Sequence, residues 1–273
     1  MRQTWLMLAA LCALAPCAVV ARADARVEAS LTYQGAVVKL DHVLVVRHGN
    51  EENRPEEPEL RIFLSDRDIP LTVAAAATTL TAQAYVRRAN FSGVVIVADP
   101  AGQKLGAVTY VLHAPGIPAG TSVSSTNGDA FSRLRVAGDR ASGAAAIDAD
   151  DLKLTVAFDA PVEANPITAD LKGARALASA PVQAMLACMH AIHVVDMGAL
   201  AKVNTSERMQ GLAEFRAQAG EQVFREALKS APDAAAAAKT VQRVIERGPN
   251  ASVVLGEGTV AELVLENGVW KCN

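Results

Sequence analysis

Aromatic rings are scarce in this sequence: Trp, Tyr and Phe make up 4% of its 273 residues. Surfaces that hold sugars or single-stranded nucleic acid stack their ligands on exposed rings, so a stacking platform is excluded as the main device. A basic block is missing too. The chain has 26 Lys and Arg against 29 Asp and Glu, a formal net charge of −3. It therefore offers no electrostatic footprint for nucleic acid or an anionic membrane surface. Cysteine occurs four times, and two of these, Cys12 and Cys17, fall in the first apolar run. No later run reaches the ~20 apolar residues that a membrane-spanning helix needs.

The first apolar run is itself informative. In "MRQTWLMLAALCALAPCAVVARA", Arg2 supplies the positive start, Trp5 to Val20 the apolar stretch, and Ala21 with Ala23 the small-x-small end. This is the pattern of a secretory signal peptide over residues 1–23, cut after Ala23. Cys17 follows Pro16, where a lipidation signal wants a small residue, so a lipoprotein anchor is not the expectation. The predicted location is periplasmic or extracellular, and losing Arg2 and Arg22 makes the mature chain more acidic still.

The mature chain divides in two by the period of its apolar residues. Residues 24–165 have period two or are turns. "VEASLTY" and "AVVKLDHVLVVRH" flank Gln34-Gly35, a tight hairpin signal, and "FSGVVIVAD" and "KLGAVTYVLHAP" flank Pro100-Ala101-Gly102. Leu152, Leu154, Val156 and Phe158 form one clean apolar face. In "ELRIFLS" Phe63 breaks the alternation, which points to a strand covered on both faces. Short strands between Gly, Pro and Asp turns predict an all-β sandwich or open barrel. Leu71 to Arg88 reads equally as a short helix or a strand. The strands "KLDH" and "RIFLSDRDIP" resemble those of bacterial secreted β-domains, a likeness that implies no activity.

One motif in this half carries potential chemistry. "VLVVRHGN", Val43 to Asn50, is a strand running into Arg-His-Gly, the way histidine phosphatases present a phosphoryl-accepting imidazole. That chemistry needs a helix after the strand, converging arginines, a second His and a proton donor. Here "GNEENRPEEPE" comes next, whose prolines break a helix and whose carboxylates repel phosphate. His113 lacks an acidic neighbour. The expectation is a strand-end His48 opening a solvated acidic loop, and the prolines also deny that loop the ligand spacing of a calcium site. Asn90 and Asn204 match the glycosylation pattern.

After a turn-rich connector at 166–178, the period becomes helical over 179–273. Pro181 opens a helix on which Val182, Met185, Leu186, Met189 and Ile192 recur three or four apart, ending near Met197-Gly198. Asn204 with Glu207 reads as the capping pair of a second helix, and Gly211 and Gly220 each weaken it. Beyond it come a short Ala-rich helix after Asp233 and four strands, with Asn267-Gly268 as a hairpin turn.

The segments "AIHVVDMGALAKVNTS", "VIERGPNASVVL" and "LVLENGVWKC", in that order, resemble the NTF2-like (cystatin-like α+β) superfamily. The resemblance implies helices packed on a curved antiparallel sheet, with an open end that holds a pocket in some members. It also makes a sheet-to-sheet homodimer the oligomer to test. Because the sheet would pack against the first helix, Cys188 on that helix and Cys272 on the final strand would meet as a disulfide. The alternative is a core Cys188 with a free or intermolecular Cys272. His190, His193 and Asp196 are spaced three apart on that helix, and in the enzymes of the superfamily a pocket Asp or His removes a substrate proton. No connected catalytic set appears elsewhere. The leading expectation is a noncatalytic exported protein without cofactor or metal, binding a small molecule or an envelope protein. The alternative is an isomerase or lyase using His193, Asp196 and His190.

Overall fold

The computed structural model describes residues 25–50, 54–74, 91–99, 101, 105–112, 133–149 and 152–273. The leader, Asn90 and His113 lie outside them. The N-terminal part is β-rich. Its strands are β1 (Arg26–Tyr33), β2 (Ala36–Leu40), β3 (His42–Asn50), β4 (Arg54–Ser65), β5 (Gly93–Ala98), β6 (Leu105–Val111), β7 (Arg135–Ala137), β8 (Arg140–Ala149) and β9 (Leu152–Glu163). Gln34 and Gly35 both have positive φ, 48° and 83°, as a two-residue hairpin turn requires, and they set Tyr33 opposite Ala36.

The strand order is β2-β1-β9-β3-β4-β5-β6, with β8 also on β9 and β7 on β8. β9 is the join. Its residues alternate buried and exposed from Leu152 to Ala160, pairing antiparallel with β1 and β8. Its end then pairs parallel with β3, Val45 opposite Val162. One core serves both halves: Leu31, Leu154, Val156 and Phe158 pack with Val45, Leu60, Ile62, Ile96 and Tyr110.

A second core lies on the other face of β3–β6. Leu44, Val46, Phe63, Phe91, Val95 and Val111 form it with Ile69 and with Ala74 of the single turn α1 (Leu71–Ala74). This is the physical reason that Phe63 breaks the alternation: β4 has two apolar faces to fill. Gly93 fits where it does because a Cβ there would stand 1.9 Å from the carbonyl oxygen of Leu64.

The C-terminal part is helix-rich and packs partly on a second sheet. Its helices are α2 (Ala174–Leu177), α3 (Ala180–His193), α4 (Met197–Val203), α5 (Ser206–Ala219), α6 (Glu221–Lys229) and α7 (Ala234–Thr240). Its strands β10 (Ala169–Lys172), β11 (Arg243–Arg247), β12 (Asn250–Val254), β13 (Val260–Glu266) and β14 (Val269–Cys272) form an antiparallel meander in chain order. Val182, Met185 and Cys188 of α3 lie against Val244, Val253, Leu263 and Cys272 of the sheet. Farther along α3, Ala191 and Ile192 meet Leu200, Phe224 and Leu228. Cys188 and Cys272 form a disulfide, their Cα atoms 6.6 Å apart. β12 is buried on both faces, with Ile245 of β11 1% and Ser252 3% exposed.

Several local readings are corrected. The acidic stretch after His48 is not simply a loop: β3 continues to Asn50 and β4 begins at Arg54, with Gly49 opposite Pro58 across a register shift. Proline is tolerated where a strand needs no amide donor. Within 166–178, residues 169–172 are a strand on β11 and 174–177 a helical turn, so much of the expected connector belongs to the second sheet. The first helix stops at His193, because Val195 takes a φ of 56° and α4 starts afresh. The cap of α5 is Thr205, whose Oγ1 accepts from the Arg208 amide at 3.2 Å. Asn204 instead closes α4 and is buried, its Nδ2 donating to the Leu200 carbonyl. The expected break in the second helix falls at Gly220, with φ 82°, while Gly211 is inside α5.

Candidate functional site

Strand register decides the fate of His48. It stands opposite Glu59 across the β3–β4 pair, on the face that carries the second core. Its Nδ1 is 3.7 Å from Glu59 Oε1, and the same oxygen accepts from Arg61 Nε at 2.8 Å. The imidazole is 0% exposed and the Arg61 side chain 7%. A carboxylate held between an imidazole and a guanidinium compensates charge that burial would otherwise make costly. An inaccessible ring cannot receive a phosphoryl group, so this arrangement is a buried polar seam between strands. The motif alone places His48 at a strand end and leaves out Glu59 and Arg61; the signal for them was their alternation with Leu60 and Ile62.

The three helix candidates are dispersed in function. His190 and His193 are exposed, and His193 Nδ1 lies 3.4 Å from the Ala231 carbonyl oxygen. Asp196 is the N-cap of α4, its Oδ1 accepting from the Ala199 amide at 3.0 Å. That bond satisfies an orphan helix donor. Among the described residues, no hydrogen bond or ion pair joins His193 to Asp196. The spacing of three placed them on one continuous helix, but the backbone turns at Val195 between them.

The end of the chain forms a third polar cluster. Thr205 donates through Oγ1 to Asn273 Oδ1 at 3.1 Å, and its amide donates to the Cys272 carbonyl. Arg208 Nη1 donates to the Asn273 carbonyl oxygen at 2.7 Å. Burial pulls the Arg208 guanidinium below its ordinary pKa, and the nearby Glu262 carboxylate pushes it back up. These contacts and the disulfide hold β14 from the start of α5 and the middle of α3. Their arrangement is an anchor.

A groove of about 540 Å³ on the β-region is different in kind. It crosses the outer face of β7, β8, β9 and β1. One row of paired positions reads Arg135, Ser142, Asp159, Arg26, each opposite the next. The neighbouring row holds Ala144, Ala157 and Glu28, with Arg133 at its edge. Small side chains in mid-sheet and long ones on the flanking strands make the trough. The Phe158 ring packs against Gly143, where a Cβ would stand 2.7 Å from it. Asp159 is already compensated by Arg140, at 2.8 Å. Among the described residues Arg26, Arg133 and Arg135 have no ion-pair partner. The sequence could not reveal this row, because its members come from four strands that are distant in the chain.

Comparison with known proteins finds no family model that matches the chain, no similar curated protein and no similar solved structure.

Proposed function

We propose that this chain is a noncatalytic exported protein whose β-region binds a small molecule in the groove across β7, β8, β9 and β1. The observation that carries the reading is the groove itself: a volume of about 540 Å³ is in the range of small-molecule sites. Its lining has guanidinium, hydroxyl and carboxylate groups, and among the described residues Asp159 is held by Arg140 and makes no hydrogen bond to Ser142 opposite it. The general-base alternative has less support, because Asp196 is committed to capping α4 and both histidines are exposed. A fragment library titrated into isotope-labelled protein should move the amide resonances of Ser142, Ala144 and Ala157. If no compound of the library moves them, the binding reading fails.

The architecture we propose for the two parts is a β-sandwich followed by an NTF2-like module. A core shared between the two halves of the N-terminal sheet supports the first, and a helix lying on an antiparallel meander supports the second. Export is supported by the leader pattern of residues 1–23 and by a disulfide, which persists in oxidising compartments. An envelope protein is the alternative partner. Intact mass of protein recovered outside the cytoplasm should correspond to a chain beginning at Asp24. Retention of residues 1–23 would remove the export reading.

A further inference from the structure

We infer that the ligand of this groove is an organic molecule anionic at both ends: an apolar body with a carboxylate or phosphate group at each end. The inference rests on the binding reading above and adds the chemistry. Arg135 and Arg26 occupy opposite ends of one cross-strand row. Three strand spacings separate them, about 14 Å, and both side chains are long enough to lean inward. Arg133 lies beside Arg135 on the same rim. Guanidinium groups bind carboxylate and phosphate with two parallel hydrogen bonds.

The charge count within the groove supports this. Asp159 is already bound to Arg140, which leaves three guanidinium groups against the single carboxylate of Glu28. That is a local positive excess on a chain whose formal net charge is −3. Between the charged rims, in the row next to Ser142 and Asp159, Ala144 and Ala157 pair directly across β8 and β9. Two methyl groups offer contact to a hydrocarbon body and nothing to a sugar or a polar ring. Cationic ends, with a methyl-lined stretch beside the Ser142–Asp159 pair between them, are the complement of a molecule charged at both ends. A single anion would leave one rim unused.

The test is a titration of the full-length chain at low salt with four probes. Suberate is charged at both ends, octanoate at one and octane-1,8-diol at neither, and octane-1,8-diol bisphosphate carries phosphates in place of carboxylates. A second bidentate contact should make either doubly anionic-ended probe about tenfold tighter than octanoate. Because the bisphosphate carries up to twice the charge of suberate, the headgroup is identified by which of the two keeps its advantage over octanoate at raised salt. Arg26→Ala and Arg135→Ala should each bring suberate down to the octanoate level, while Lys39→Ala, on β2, leaves it unchanged. Far-UV circular dichroism of the variants checks that the exposed substitutions leave the sheet intact. Equal binding of the diol and the two probes charged at both ends would overturn this inference while keeping the binding reading. Silence of the groove resonances toward every probe and every library compound would overturn both.

Discussion

The two parts of this molecule fix their strands by different means. The β-region does it with volume: Phe63, Phe91, Tyr110 and Phe158 are buried in two cores on opposite faces of β3–β6, and no cysteine lies between residues 24 and 165. The C-terminal part has three aromatic residues, of which only Phe224 is fully buried; Trp270 is half-buried and Phe215 exposed. With less area to bury, it adds a covalent bond, side-chain caps and a polar clamp on its last strand. Burial of a large side chain is worth about 1.5–3 kcal/mol, so the loss of a few rings is what a disulfide and several caps offset.

That contrast can be broken by substitutions that act on one region only. Removal of residues 1–23 leaves Trp270 as the single Trp, and its fluorescence reports the C-terminal part. Phe63→Ala deletes a ring with no exposure from the second core, and it should cost about 3–5 kcal/mol. The loss should appear in the far-UV β signal during urea unfolding and leave the Trp270 transition in place. If both signals shift together, the regions unfold as one unit. A link of that kind has a visible starting point, since Asn250 Nδ2 approaches the Thr72 carbonyl at 3.4 Å.

The converse is the double variant Cys188→Ala, Cys272→Ala. The bond closes a loop with a sequence separation of 84, and its loss should lower stability by roughly 2–4 kcal/mol, read from the Trp270 transition. The polar clamp should still hold β14 in the native state. Retention of the native Asn273 and Thr205 amide shifts in this variant would show that, and their collapse to random-coil values would make the disulfide the only anchor. Smaller again is Thr205→Ala, which removes the cap of α5 and one bond to Asn273. About 1 kcal/mol is expected, again in the Trp270 signal. A change as large as that of the disulfide variant would mean that the clamp, and not the bond, carries the strand.

Legibility in the sequence tracked the range of the cause. Turns written by adjacent residues were readable: Gln34-Gly35 and Asn267-Gly268 both have the positive φ values a two-residue hairpin needs. So was β9, whose period of two is uninterrupted. Features set by pairing at a distance were not. Asp170 looks like part of a polar connector until Arg243 is placed beside it, and Glu59 looks solvated until the β3–β4 register puts it against His48. Helix spacing misled at Asp196, since a cap three residues after His193 satisfies the same count as a third residue on one face. The disulfide followed from a resemblance in element order and from the count of two cysteines after residue 23, with no local signal at Cys188 or Cys272. The arginine row is the extreme case, legible only after four strands are aligned.

The smallest expected effect concerns β10, the edge strand whose composition reads as a connector. Arg243 holds Asp170 bidentately, with Nε 2.8 Å from Oδ1 and Nη2 2.9 Å from Oδ2. The hydrogen bond from Arg243 is the main cause that keeps the Asp170 carboxyl below its ordinary pKa; burial opposes it, and the charges of Arg243 and Lys172 assist. A folded-state pKa below the unfolded one means that the pair stabilises fully above the ordinary carboxylate value of about 4. The contribution is lost as pH falls from there through the folded value. With the Asp170 side chain 38% exposed, water screens the pair and only a few tenths of a kcal/mol are expected. Asp170→Asn keeps the shape and removes the charge. It should lower the Trp270 midpoint slightly at pH 7, and the gap to the parent should narrow as pH falls below about 4 and close once pH is below the folded-state value of Asp170. A gap of constant size across that range would mean that β10 is held by its ladder with β11 alone, and that the ion pair adds nothing to the edge.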